Sequence, residues 1–386
     1  MEAGRVLDDR YEILGPIAQG ASSTVWEARD RGADGEGDAT VAVKAVSMER
    51  AGWRAEVRDR FQQEARLLTL VGHRHLVGVR AFGETEDGYL YLVLERLTGE
   101  TLADRLARPA RLGWRAAAGI ALELARGLAV LHERGIVHRD LKPANVILHR
   151  DGDSVVAKII DLGIGKVGAA AADPVVFATL TATGQVLGTP EYMSHEQALG
   201  ERDVDARTDV WALGVVLHEM VAGRRPFVGA NVNAVLAAIR RSPPPRLDDV
   251  ARGTPDAIAR VVERCLSRAR EGRYRDGAEL AEALLVAIAR GDEEEVRASR
   301  RRWLAFAAAA ALIAVVGIQL AVRARHASPA IAAAPVAPTP AIVPAGPAPP
   351  LGTDPLPAAS ARAPAPRASA EPGRSRSASS VTRPGF

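Results

Sequence analysis

The chain has 386 residues, with 50 Lys and Arg against 47 Asp and Glu, a formal net charge of +3 and one cysteine, Cys265. The charges are scattered and build no long basic face, which argues against a nucleic-acid partner. A lone cysteine cannot close an internal disulfide, so the globular part suits a reducing compartment. Lysine is scarce beside arginine, and the four that occur (Lys44, Lys142, Lys158 and Lys166) are worth locating. Composition also divides the chain: it is mixed and globular to about residue 295 and neither beyond. Met1 to Arg10 is polar, so no signal peptide is expected there.

From Tyr11, the apolar positions Ile13, Ile17 and Val25 predict two strands joined by a turn of small residues, Ala18-Gln19-Gly20-Ala21-Ser22-Ser23. Such a turn lets backbone N–H groups close over phosphates. After a Gly/Asp-rich surface turn, Val41-Ala42-Val43-Lys44 alternates as a half-buried strand, with Lys44 and Ala42 on one face. Glu56 to Gly72 reads as a helix whose apolar face holds Phe61, Ala65, Leu68 and Val71, with Glu64 among its charges. A hairpin follows, Val79 to Glu84 and Tyr89 to Leu94 about the turn Glu86-Asp87-Gly88. Helices are expected from Thr101 and over Trp114 to Arg134, the latter burying Ile120, Leu124, Leu128 and Leu131.

The next stretch, His138-Arg139-Asp140-Leu141-Lys142-Pro143-Ala144-Asn145, packs a base, a phosphate-directed cation and a metal ligand into eight residues. Asp140 can accept a proton from a hydroxyl, Lys142 can reach a phosphoryl group in flight, and Asn145 offers a carbonyl oxygen to Mg²⁺. A hairpin of Val146 to Leu148 and Val155 to Ile160 is expected to bring Asp161 beside Asn145. Gly165 to Val186 lacks periodicity and reads as a loop. It is closed by Gly188-Thr189-Pro190-Glu191-Tyr192-Met193-Ser194-His195-Glu196. An apolar helix begins at Asp209, and final helices run from Pro255 to Ala289.

These motifs resemble those of the eukaryotic-type (Hanks-type) protein kinases, with a lysine two places after Asp140 as in the serine/threonine branch. The resemblance covers residues 11–285 and implies an α+β, bilobal protein-kinase fold, with an N-lobe at 11–96, a C-lobe at 97–285 and residues 1–10 as a lead-in. It implies ATP with Mg²⁺ (or Mn²⁺) as cofactors and protein Ser/Thr hydroxyls as substrates. Ala18, Gly20, Ser23 and Val25 correspond to the glycine-rich loop, with only the middle glycine kept. Lys44 would grip phosphates, held by Glu64, while Glu95 and Leu97 belong to the hinge that meets adenine, after Leu94 as gatekeeper. Asp140, Lys142 and Thr189 take the catalytic positions, and Asn145 and Asp161 the metal positions. Asp161-Leu162-Gly163 stands for D-F-G, and Ser194-His195-Glu196 for A-P-E. Asp209 is expected to cap the catalytic loop, and Glu196 to pair with Arg273. Thr181 and Thr183 sit where related bacterial kinases are autophosphorylated, which implies self-association in trans as an option. A nucleotide-binding pseudokinase scaffold is the alternative, supported by the altered glycine loop and His195. A small-molecule phosphotransferase of kinase-like fold is a further rival.

Past the globular part, 286–302 reads as a juxtamembrane linker. Residues 303–322 are uncharged and long enough to cross a bilayer as a helix. Arg297 and Arg300 to Arg302 slightly outweigh Arg323 and Arg325, so the expected topology is a single pass of the cell (inner) membrane, with the globular part cytoplasmic. Residues 323–386 are rich in Pro, Ala and Ser and are expected to be disordered.

Overall fold

The computed structural model describes residues 1–19, 23–32, 39–47, 55–161, 190–201 and 203–326. Met1–Gly317 form one compact unit; a second runs Ile318–Phe386, and its described part is helical.

The chain opens with an antiparallel six-stranded sheet in the order β1-β2-β3-β4-β6-β5. Its strands are β1 (Val6–Leu7), β2 (Tyr11–Gln19), β3 (Ser23–Asp30), β4 (Ala39–Ser47), β5 (Val79–Glu84) and β6 (Tyr89–Glu95). Residues 1–10 are therefore more than a lead-in. Val6 and Leu7 pair with Glu12 and Tyr11, Leu7 is buried, and Arg5 clasps both carboxylate oxygens of Asp87 at 2.7 and 2.6 Å. The alternation at Val41 to Lys44 also understates burial. Val41 and Val43 enter one apolar cluster while Ala42 enters another, so β4 is covered on both faces and Lys44 is the half-buried exception.

Helix α1 (Ala55–Thr69) buries Phe61, Ala65 and Leu68 and lies against β5. It ends short of Gly72, because the amides of Leu70 and Val71 reach back only to the carbonyls of Leu67 and Leu68, at 3.1 Å each. That tight final turn still delivers Val71 to the core.

The second half holds a small sheet, β7 (Gly99–Thr101), β8 (Val146–Asp151) and β9 (Ser154–Ile159), and a set of helices. Helix α2 (Leu102–Leu106) starts at a Thr101 cap closed reciprocally by Asp104. Helix α3 (Trp114–Glu133) buries Leu124, Leu128 and Leu131, with Ile120 only partly covered. Next come α4 (His195–Leu199), α5 (Arg207–Ala222), α6 (Val232–Arg241), α7 (Leu247–Val250), α8 (Asp256–Cys265) and α9 (Gly277–His326). Every residue of α5 from Thr208 to His218 is buried, so this helix is the post around which the others pack. Cys265 closes α8 in full burial, which pushes its thiol up to about 12 and leaves it an inert core side chain.

The two halves meet where Leu76 bridges Ile159. Val77 N–H donates to the Ile159 carbonyl at 2.9 Å, and Ile159 N–H to the His75 carbonyl at 3.0 Å. Residues 286–302, expected as a linker, are instead the middle of the continuous helix α9, which has no break before the apolar stretch.

Candidate active site

The loop after α3 is built on Asp209. This carboxylate, wholly buried near the start of α5, accepts the backbone N–H groups of His138 and Arg139 at 2.8 Å each, and its Oδ2 is 2.9 Å from His132 Nε2. Burial by itself would raise the Asp209 carboxyl, but the bonds from His132 and His138 outweigh it and hold the group below the usual carboxylate range. Arg139 is thereby fixed at φ 62°. The expected capping role of Asp209 is what the structure displays.

From this anchor the loop is led by Leu141, which is buried, and by a turn of 3-10 helix over Pro143–Asn145. Asn145 Nδ2 donates to the Asp140 backbone carbonyl at 2.8 Å and to its carboxylate at 3.2 Å; Lys142 Nζ lies 3.1 Å from the same Oδ2. The Asp140 carboxylate is thus oriented by an amide on one side and an ammonium on the other. Ile160 N–H donates to the Asn145 carbonyl at 3.0 Å, and β8 pairs with β9 from Val146 against Ile159, so Asp161 comes to the same end of the hairpin as Asn145. Asp161 Oδ1 meets Lys44 Nζ at 2.8 Å. Two polar groups result, Lys142–Asp140–Asn145 and Asp161–Lys44, and the β8–β9 hairpin brings Asn145 and Asp161 to one end.

Lys44 is supplied by β4, where it sits opposite Val25 of β3 and Leu92 of β6. Ala18 pairs with Val25, and Ser23 begins β3, so these three stand at the end of the β2–β3 pair where residues 20–22 join the strands. Glu64 stands half-buried on α1. Glu95 ends β6, and Leu97 is buried just beyond it. The Leu97 carbonyl accepts Arg96 Nη1 at 2.6 Å, while Arg96 Nε reaches Glu27 at 3.0 Å. Gly20, Leu162, Gly163, Thr181, Thr183 and Thr189 lie outside the described residues.

The chemistry of the donor set suits a magnesium nucleotide. Asn145 commits its Nδ2 to Asp140, which leaves Oδ1 as its metal-donor atom, and Asp161 brings a carboxylate. Mg²⁺ takes few protein oxygens and fills its shell with water and phosphate. Among the described residues, no cluster of three or more Asp, Glu, His or Cys side chains offers an all-protein cage.

Beyond the loop, Ser194 caps α4 and is closed by Gln197, whose Nε2 also donates to the Arg139 carbonyl at 3.0 Å. His195 takes the first helical position, where proline is tolerated but not required, so the helix start is intact. Glu196 accepts Arg273 Nη1 and Nη2 at 2.9 and 2.8 Å and Thr208 Oγ1 at 2.7 Å. Burial opposes its ionisation, yet these bonds bring it down to about 2. Arg273 is buried over the Trp211 ring at 4.8 Å and also bonds the Ser267, Arg207 and Arg268 carbonyls.

Two partners escaped the sequence reading. Lys158 Nζ is 2.7 Å from Glu95 Oε1, which also takes the Gly78 N–H at 2.7 Å, tying the end of β6 to the strand that leads to Asp161. The scarcity of lysine was the one available signal. His132, the second, gave none.

A family model described as a protein kinase domain matches residues 11–282. The chain is 37% identical over 279 residues to the serine/threonine-protein kinase PknA of Corynebacterium glutamicum, covering 71% of this chain and 55% of that protein. It is 35% identical over 303 residues to PknA of Mycobacterium tuberculosis, covering 77% and 64%. It therefore spans between about half and two thirds of these relatives' length. Among solved structures, the kinase domain of Mycobacterium tuberculosis PknI aligns with a TM-score of 0.57 at 25% identity, covering 74% of this chain and 99% of that one. Rad53 1–466 in complex with AMP-PNP aligns with a TM-score of 0.56 at 25% identity, covering 70% and 64%.

Proposed function

The chain belongs to the protein kinase family, and from that premise we propose that it transfers the γ-phosphoryl group of ATP to serine or threonine hydroxyls of proteins. The observation that carries this reading is the pair of polar groups, Lys142–Asp140–Asn145 and Asp161–Lys44, drawn from both halves of the fold to one end of the β8–β9 hairpin, which supports reading them as base, cations and metal ligands. Asp140 orients the substrate hydroxyl and takes its proton as the oxygen attacks, and Lys142 offsets charge on the phosphoryl group in transit. Asn145 and Asp161 would hold Mg²⁺, which supplies charge neutralisation between the phosphates. Lys44 positions the phosphates beside the strand ends that carry Ala18, Ser23 and Val25, with Glu64 as its expected brace. Glu95 and Leu97 border the adenine site. Thr189, outside the described residues, completes the proposed catalytic assignment. The test is transfer from labelled ATP to a generic protein substrate, abolished by Asp140→Asn. Transfer to small molecules alone would select the phosphotransferase reading, and nucleotide binding without turnover the pseudokinase reading.

The same proposal places the protein in the cell membrane. Helix α9 contains the one stretch, among the described residues, long and apolar enough to cross a bilayer. Lipid would cover 303–322, with the kinase domain on the cytoplasmic side where ATP is found. Autophosphorylation at Thr181 or Thr183, in trans between two copies, is the proposed control. It is tested by mass spectrometry and by the Thr181→Ala/Thr183→Ala double variant.

A further inference from the structure

Helix α9 is held at two points against α3, and the two contacts share one antiparallel register. At its start, a side chain on Gly277 would lie 2.5 Å from the Ala129 nitrogen and 2.6 Å from the Ala125 carbonyl oxygen, so the backbones touch there and only glycine fits. At Gly291, a side chain would meet the Trp114 ring at 2.9 Å and Pro255 at 3.0 Å. Between them, Leu280, Ala281, Leu284 and Ala287 are buried. The second contact is locked by charge. Arg115 lies over the Trp114 ring at 4.6 Å and reaches both Asp292 and Glu295 at 2.6 Å, while Glu294 accepts the Asp256 N–H at 2.9 Å.

The first contact leads into the active site. Gly277 N–H donates to His132 Nδ1 at 3.0 Å, which leaves the ring proton on Nε2 for Asp209 Oδ2. That same oxygen accepts the His138 N–H. We propose that Gly277, Gly291 and Arg115 are positioning residues for the catalytic loop, and that 277–296 is a strut through which displacement of α9 reaches Asp209. A slide or rotation of α9 cannot be absorbed at Gly277, where backbone meets backbone, and it shifts the N–H that sets the His132 ring. The ring moves the carboxylate, and the carboxylate moves the loop. Since α9 runs on without a break into 303–322, the apolar stretch and the catalytic loop are mechanically connected. This inference rests on the kinase reading above.

The test uses the full chain in phosphatidylethanolamine/phosphatidylglycerol vesicles, with kcat, KM for ATP and amide hydrogen exchange measured together. Arg115→Glu and Gly291→Leu are expected to speed exchange across both 286–296 and 136–145, and to lower kcat about three- to ten-fold with KM for ATP changed less than about two-fold. Combining Arg115→Glu with Asp292→Arg and Glu295→Arg restores the pairing with signs reversed, and should recover both readouts. Loss of protection at 286–296 with unchanged exchange at 136–145 would overturn the proposal, as would failure of the reversed set to recover. Should Gly291→Leu not fold, the Arg115 series decides alone, because that side chain is half-exposed. A wild-type protein without phosphoryl transfer would remove the kinase reading and leave the exchange comparison to judge the strut.

Discussion

Asp209 accepts the N–H of Arg139 at 2.8 Å while Arg139 holds φ 62°, so a buried carboxylate secures a backbone conformation that a side chain other than glycine disfavours. The same carboxylate receives the His138 N–H and faces His132, so two backbone amides and a ring converge on two oxygens. An amide in its place turns an NH₂ toward at least one of those donors. Asp209→Asn is expected to destabilise the fold by about 2–4 kcal/mol and to cut kcat by more than about ten-fold. Thermal unfolding and steady-state assays check both. Arg139→Gly, by contrast, should leave stability unchanged or slightly raised, whereas Arg139→Val should lower it by about 1–2 kcal/mol. Equal stability of the two would remove the assigned strain.

Removing single members of the two polar groups separates orientation from binding. Asp140→Asn takes away the proposed proton acceptor but not a proposed nucleotide contact, so transfer should fall by at least about three orders of magnitude while nucleotide still binds. Asp161→Asn removes the carboxylate that faces Lys44 and should weaken magnesium-dependent nucleotide binding together with turnover. Lys44→Met should cripple turnover through misplaced phosphates. Calorimetric titration of each variant with Mg-ATP checks the order. Near-wild-type transfer by Asp140→Asn would refute the catalytic assignment.

How much of this was readable in advance depended on whether a residue's partner was local or part of a known spacing. His138 to Asn145 stood out because eight adjacent residues carry the side chains of the proposed chemistry, and Glu196 with Arg273, 77 positions apart, was found only through the family pattern. Lys158 and Glu95, 63 positions apart, belong to no such pattern, and their pairing appears only when β6 and β9 are brought together. Asp292, Glu294 and Glu295 fall within 286–302, the stretch expected as a linker. Their partners, Arg115 and the Asp256 amide, lie on other helices, where helical periodicity cannot point. Burial of β4 on both faces was hidden in the same way, since Ala42 is small enough to read as either side of an alternation.

The buried ion pair of Glu196 and Arg273 predicts an acid limit to stability. The folded value of about 2 lies below the ordinary 4.5, so the contribution is complete above about pH 5 and is lost as pH falls from 4.5 toward 2. A depression of that size corresponds to about 2–4 kcal/mol. Arg273→Met strands the carboxylate and should cost about 3–5 kcal/mol at pH 7. Its penalty should shrink at pH 3, where protonated Glu196 no longer needs a cation. A penalty independent of pH would mean that packing on Trp211, rather than charge, accounts for the loss.

His218 predicts a second, milder window. Buried in α5 with Nδ1 3.0 Å from the Arg224 carbonyl oxygen, it is driven down to about 4 by burial, despite that hydrogen bond. The neutral ring is the folded form, so its contribution is complete above about pH 6.5 and is lost as pH falls through 4. Replacing it with an uncharged residue, His218→Gln, should flatten the stability profile between pH 6.5 and 4, whatever it does to stability at pH 7. Denaturant midpoints at half-unit intervals check this, and an unchanged slope would exonerate His218.

The last prediction concerns α9 beyond the strut. From Trp303 to Val322 its large apolar side chains are exposed: Trp303 at 69%, Phe306 at 75% and Ile313 at 72%. In water, a continuous apolar surface of this length is an aggregation hazard; in a bilayer it is at its preferred depth, with Arg300 to Arg302 and Arg323 to Arg325 at the two interfaces. Full-length protein should therefore stay in the membrane pellet through carbonate washing. In cells stripped of outer barriers, protease should remove a tag placed after Phe386 and spare one before Met1. Replacing Leu312, Ile313, Val315 and Val316 with Asp raises the insertion cost at the helix centre by about 2.5–3.5 kcal/mol per residue, enough to send the protein to the soluble fraction. Release of the unaltered protein by carbonate, or protection of the carboxy-terminal tag, would refute the crossing and leave α9 as an exposed helix that needs another partner.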